Sequence, residues 1–260
     1  MTPAPGQPPQ PDGCNRPPLP AGADATIDSR ASQCHGSAMQ LLEELRAEHD
    51  LIDQMLDSFR TAVGQFVNDQ ADPDDLMRFV RFFRVYADQF HHSREEDVLF
   101  ATLVNQLDIP GNRGPIAVLT EDHRKFKACL DQIEPLLLRR PLSLAEQTRL
   151  RTVSEQYITG MQHHIDAENS VLFVEGAVCL QDAGIRELPS RSPTDDEQQA
   201  RHEAEDLLQR HPPTPNMETI RGDGCFLCPA FQLTCDGYEL EWAAVSRWGH
   251  AQVDDPFSEA

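Results

Sequence analysis

Basic side chains are scarce in this chain: 22 Lys and Arg stand against 43 Asp and Glu, for a net charge of −21. Such a balance repels phosphate backbones and anionic lipid headgroups, so neither nucleic acid nor a membrane surface is an expected partner. Long apolar runs are also missing, and the amino terminus does not pair a charged start with an apolar stretch. Neither a spanning helix nor a secretory signal is therefore expected, and the chain reads as soluble and cytoplasmic. The 7 cysteines are odd in number and irregularly spaced. That pattern argues against a disulfide framework and for free thiols or a metal site.

What is present divides the 260 residues into three parts, one well-packed domain between two appendages. Residues 1–37 are dense in proline, which prevents helix and leaves no apolar face to pack, so a disordered leader is expected. From Ser37 the pattern changes. Leu42, Leu45, His49, Ile52, Leu56, Phe59, Val63 and Phe66 recur at steps of three and four, one stripe along a helix. Asp72-Pro73 has the form of a cap and first-turn proline, opening a second helix that runs to about Leu107. A third helix spans about Pro115 to Arg139, kinked near its end by Pro135. Ser143 with Glu146 forms a capping box for a fourth, which runs to Gly184. Residues 38–184 thus predict an all-α domain, an antiparallel four-helix bundle. Residues 185–260 hold too few aliphatic side chains for a core of their own. They predict an acidic helix and linker around Asp195 to Asp206, acting as a solvated spacer or docking surface, and then a small cysteine-containing tail.

The bundle segment repeats itself. HHSREEDVLF at 91–100 and HIDAENSVLF at 164–173 share a frame of His, three residues, Glu, two residues and Val-Leu-Phe. LRAEH at 45–49 and LTEDH at 119–123 share their Leu-to-His spacing, and each precedes its partner segment by nearly the same interval. The chain therefore reads as two copies of a helical hairpin. Each offers one His from its first helix and a His-x-x-x-Glu pair from its second, a spacing that puts both side chains on one face one turn apart. Phase separates the doublets. His91 aligns with Val80, Ala87 and Val98, and His164 with Val153, Tyr157 and Val171, so these two are predicted to point inward with Glu95 and Glu168. His123 lies on an apolar face with Ile116, Leu119, Phe126 and Leu130. His92, Glu96 and His163 are expected to support the inward set from behind or to serve as substitute ligands, phase favouring the former, with an exposed polar face as the other reading. Two carboxylates among core histidines would be costly to bury without a cation, and mixed imidazole and carboxylate ligands suit iron or manganese, with zinc also compatible.

These motifs, continued as Glu-Glu-Asp-Val-Leu-Phe and Glu-Asn-Ser-Val-Leu-Phe, make residues 38–184 resemble the hemerythrin-like, or HHE cation-binding, family. The resemblance implies two non-haem iron ions bridged by carboxylates and an oxygen species. Glu95 and Glu168 match the bridging positions, and His49, His91, His123 and His164 match the terminal imidazoles. One departure stands out: animal oxygen carriers of this family have a second His one turn after the third-helix His, where this chain has Lys127. That substitution leaves an open or water-filled position on one iron and shifts the expectation from simple oxygen carriage toward chemistry with oxygen, peroxide or nitric oxide. A stress-protective catalyst and a sensor both fit. The alternative is a non-catalytic iron-binding or iron-sensing module whose carboxyl-terminal appendage contacts a partner protein.

Cys225-x-x-Cys228 with Cys235 is compatible with half a zinc site, a redox pair or a loop coincidence, and His211 or His250 is available as a fourth ligand. Cys129 and Cys179 are expected as buried thiols within helices, and Cys14 and Cys34 lie in the leader.

Overall fold

The computed structural model describes residues 34–216. The leader up to residue 33 lies outside the described residues, as do Cys225, Cys228, Cys235 and His250. The described part is mostly helical. Strand β1 (Cys34–Ser37) leads into helix α1 (Ala38–Phe66). A second rod follows as α2 (Pro73–Phe82), two π-helical segments (Phe83–His92 and Glu95–Phe100) and α3 (Ala101–Leu107). The third rod is α4 (Gly114–Leu137). The fourth is α5 (Leu144–Ala167), a π-helical turn (Glu168–Leu172) and α6 (Phe173–Asp182). Strand β2 (Glu187–Ser190) pairs antiparallel with β1, and α7 (Asp195–Arg210) follows. The last residues assigned to the leader are thus a strand, with Cys34 opposite Ser190 and Ser37 opposite Glu187.

Local chemistry sets the ends of the rods. Asp72 accepts from the Asp74 backbone N–H at 3.0 Å, directly before Pro73. Ser143 and Glu146 form a reciprocal capping box at α5, and Thr194 with Glu197 form another at α7. The fourth rod stops before Gly184, whose φ of 72° is a left-handed conformation that glycine adopts without strain.

Each rod is apolar at both ends and polar in the middle. One core cluster takes Ile52 to Val67 of α1, Leu76 to Phe90 of the second rod, Phe126 to Leu137 of α4 and Leu150 to Ile165 of α5. The other takes Ala38 to Leu45, Leu99 to Ile109, Ile116 with Leu119, and Leu172 to Leu188. Successive rods cross these clusters in opposite order, so their directions alternate. Between the clusters lies a band of buried polar residues: Glu48, His49, His91, His92, Arg94, Glu95, His123, His164 and Glu168.

Residues 195–206 are not a solvated spacer. Ala200, Ala204 and Leu207 of α7 are buried and belong to the first core cluster. Burying a leucine contributes about 2 kcal/mol, and three small or aliphatic side chains at helical spacing give α7 a face to pack with. Its acids serve as anchors: Asp206 pairs with Arg78 at 2.7 Å, and Asp196 and Glu203 pair with Arg81 at 2.5 and 2.9 Å. The acidic composition that suggested solvent is instead complementary to a basic stripe on α2.

His211 is also committed to this interface. Its Nδ1 lies 2.6 Å from Gln65 Oε1 and its Nε2 2.9 Å from Asp75 Oδ2. With both nitrogens engaged and the residue buried, it is not available as the fourth ligand of a cysteine site. Cys179 is buried and Cys129 half-buried, both as free thiols. Among the described residues, no helix is long and apolar enough to cross a membrane.

Candidate metal centre

The polar band gathers its ligating side chains into two overlapping groups: His49, His91, Glu95 and Glu168, and His92, Glu95, His123 and His164. Within each group one ligand atom per residue lies within 4.8 Å of all the others, and every member is buried. Glu95 belongs to both. Its Oε1 is 3.3 Å from His91 Nε2 and 3.6 Å from His49 Nε2, while its Oε2 is 3.6 Å from His123 Nε2. Glu168 also spans the groups, with Oε2 at 3.2 Å from both His49 Nε2 and His164 Nε2.

His123 Nε2 and His164 Nε2 lie 3.0 Å apart, but most of the other inward atoms have no well-formed hydrogen bond that would explain their burial. Both oxygens of Glu95, both of Glu168, His49 Nε2 and both nitrogens of His92 are buried without one. Buried polar atoms are nearly always satisfied, and a cluster of orphaned oxygens and imidazole nitrogens facing one another is a donor set fitted to cations. The outward nitrogens of His49, His91 and His123 are satisfied, whereas His164 Nδ1 is buried without a partner. His49 Nδ1 lies 3.0 Å from Asn169 Oδ1, His91 Nδ1 2.9 Å from Glu48 Oε2, and His123 Nδ1 2.7 Å from Glu96 Oε1. Because an amide or carboxylate oxygen accepts, each of these Nδ1 atoms donates, which leaves Nε2 as the atom aimed at the centre, where a bound cation would take the place of a proton. Glu48 is itself held by Arg94, which also bonds Glu44.

Electrostatics are shared across the band. Burial lowers the pKa of His49, but the close carboxylates of Glu168 and Glu95 outweigh it and push it up to about 10. Burial likewise opposes charge on His91 and His164, which Glu95 and Glu168 hold above the usual imidazole range. The carboxylates move the other way. Despite burial, His91 and His49 hold Glu95 well below its usual range, and His164 and His49 bring Glu168 down to about 2 against the nearby Glu95 charge. His92 differs: burial and the neighbouring His123 push it well below the usual imidazole range, leaving a neutral ring.

His92 is the main correction to the phase reading. It is 2% exposed, stacks on His123 with centroids 3.8 Å apart, and joins the second group. The reason is the π-helical segment ending at His92. Its i→i+5 turns are wider than 3.6 residues, so the angular step between neighbours shrinks and two consecutive histidines share the inward side. His163, followed by ordinary α-helix, is only half-buried and stays outside both groups. Glu96 stands behind His123, as above. Lys127 does not reach the centre: it is exposed and pairs with Asp88 at 3.0 Å. Glu48, Arg94 and Asn169 were missed at the sequence level, although all three sit inside the repeated motifs. A charged residue flanking a core histidine was the available signal.

Taken with the fold, the two donor sets define a helical protein of the cation-binding class. Over residues 40–175 the chain matches the hemerythrin HHE cation binding domain. It belongs to that family, and the matched stretch contains every residue of both groups. No curated protein and no solved structure matches the chain.

Proposed function

We propose that the four rods form an antiparallel bundle whose polar band holds two iron ions, and that this centre binds or reacts with oxygen, peroxide or nitric oxide. The observation that carries the reading is the division of Glu95, with one oxygen facing His49 and His91 and the other facing His123. A carboxylate placed in this way joins two cations rather than one. Iron would supply redox chemistry and affinity for small oxygen and nitrogen ligands. The chain supplies alignment and dryness: Asn169, Glu48 and Glu96 fix the rings, and Phe173 stacks on His49 with centroids 5.4 Å apart. The second group would offer three imidazoles to one ion and the first group two to the other, so a small ligand would find more room on the His49 and His91 side. That placement differs from the one suggested by Lys127.

Metal analysis of aerobically purified protein, with its absorption spectrum, tests the reading. Two irons per chain with oxo-bridged absorption are expected; one ion or fewer after anaerobic iron loading would overturn it. Peroxide turnover by the loaded protein would make it a catalyst.

A sensing role is the second reading, and one observation favours it. Phe90 lies between two guanidiniums, that of Arg94 at 5.1 Å and that of Arg191 at 4.9 Å. Arg94 leads through Glu48 to His91, while Arg191 belongs to the segment between β2 and α7 and pairs with Glu197. These contacts give a route by which occupancy of the centre would be felt at α7. Iron-dependent partner binding without turnover would select this reading.

A further inference from the structure

A cavity of about 760 Å³ opens between α4 and α5. Sites for small organic molecules run from roughly 300 to 1,000 Å³, so the space suits one. Ala117, Val118 and Phe126 form its wall on α4, Gly160 faces them from α5, and His163 and His164 also line it. Gly160 holds the groove open. A Cβ at that position would lie 3.2 Å from Phe126 Cε1, so a larger side chain would have to displace the ring or fill the space. Cys129 completes the lining, and burial pushes its thiol up, so it is an uncharged part of the wall.

The rim carries no net preference for charge. Arg113 and Lys125 are balanced by Glu121 and Asp122, and Lys125 Nζ bonds Asp122 Oδ1 at 2.8 Å. A chain with a net charge of −21 would repel an anion before it reached this rim. What remains is an apolar surface wide enough to shed water onto a ligand, with imidazole at hand for one hydrogen bond.

We propose that the groove binds a neutral, apolar organic molecule bearing one small polar group, its body along Val118 and Phe126 and its polar end toward His163 and His164. His164 is also a member of the second ligand group, so the occupant sits against the back of the centre. The groove stands on its own geometry; that its occupant is a substrate or modulator of the centre rests on the function proposed above.

Fluorescence titration of the full-length protein with N-phenyl-1-naphthylamine, a neutral apolar probe with one N–H, tests the site. Saturable binding is expected. Gly160→Leu and Val118→Trp should each weaken it by at least about tenfold, because a filled groove leaves the probe no space. Leu144→Trp, at a position 80% exposed and outside the groove, should not change it. If Gly160→Leu does not fold by circular dichroism, Val118→Trp decides. Absence of saturable binding to the parent, or undiminished binding to Val118→Trp, would overturn the proposal. So would light scattering that shows a parent dimer dissociated by Val118→Trp, since a second copy would then be the occupant. Iron content measured on the same samples separates the two claims: probe binding without iron would leave the groove standing and remove the centre.

Discussion

The two hairpin copies carry the same frame but bend it differently. In the first, two π-helical segments, Phe83–His92 and Glu95–Phe100, enclose the ligand-bearing turn. In the second, α5 stays regular through His164 and the widened turn begins only at Glu168. The first copy therefore gives two imidazoles from adjacent positions, His91 and His92, and the second gives one from its doublet. The asymmetry has two sources, residue type and backbone winding: the place of His92 in the shared frame is Ile165 in the second copy, while His163 corresponds to Phe90 of the first. Wider turns of this kind are often kept at functional sites, where they re-aim side chains at the expense of regular hydrogen bonding.

Substitutions can break this comparison at several strengths. The largest effect is expected from Glu95→Ala, the shared carboxylate of the first copy. It should lose both metals and the oxo-bridged absorption, while Glu96→Ala retains most of each; metal analysis with visible spectra reads the difference. His92→Ala should come next, lowering the content to one tightly held ion, whereas His163→Ala leaves both. Equal outcomes for these two variants would show that His92 takes no part in holding metal despite its burial in the second group. Glu48→Ala removes the acceptor behind His91, and chelator competition should show metal affinity reduced by about 10- to 100-fold. The smallest effect concerns helix caps, one in each copy. Ser143 caps α5 with its side chain and Ser37 makes no such bond at α1. Ser143→Ala should cost about 1 kcal/mol in urea unfolding, and Ser37→Ala close to nothing.

Much of the architecture was legible from the chain alone. The α1 stripe, the Asp72-Pro73 start, the capping box at Ser143 and the stop at Gly184 depend on local chemistry, which sequence displays directly. Inward placement of His49, His123 and His164 also follows from periodicity where the helix keeps its regular pitch, and His91 is inward although it lies in a π-helical segment. His92 was misplaced because phase arithmetic assumes a constant pitch, and nothing in FRVYADQFHH announces a π-helix. α7 was misread for a different reason. Its burial depends on small alanines and on arginines far away in α2, so a window confined to its own acidic residues could not show what it packs against.

The polar band between two apolar clusters also governs alignment. Apolar helices can slide past one another at little energetic cost, because one leucine replaces another along the seam. Here a rod displaced by one turn, about 5.4 Å, would bring Leu45 or Ile52 to the level of Glu168 and leave His49 among hydrocarbon. Each rod has only one stretch able to face the carboxylates, so the belt acts as a notch that fixes longitudinal position. The ligands thus select the register of the same scaffold that presents them.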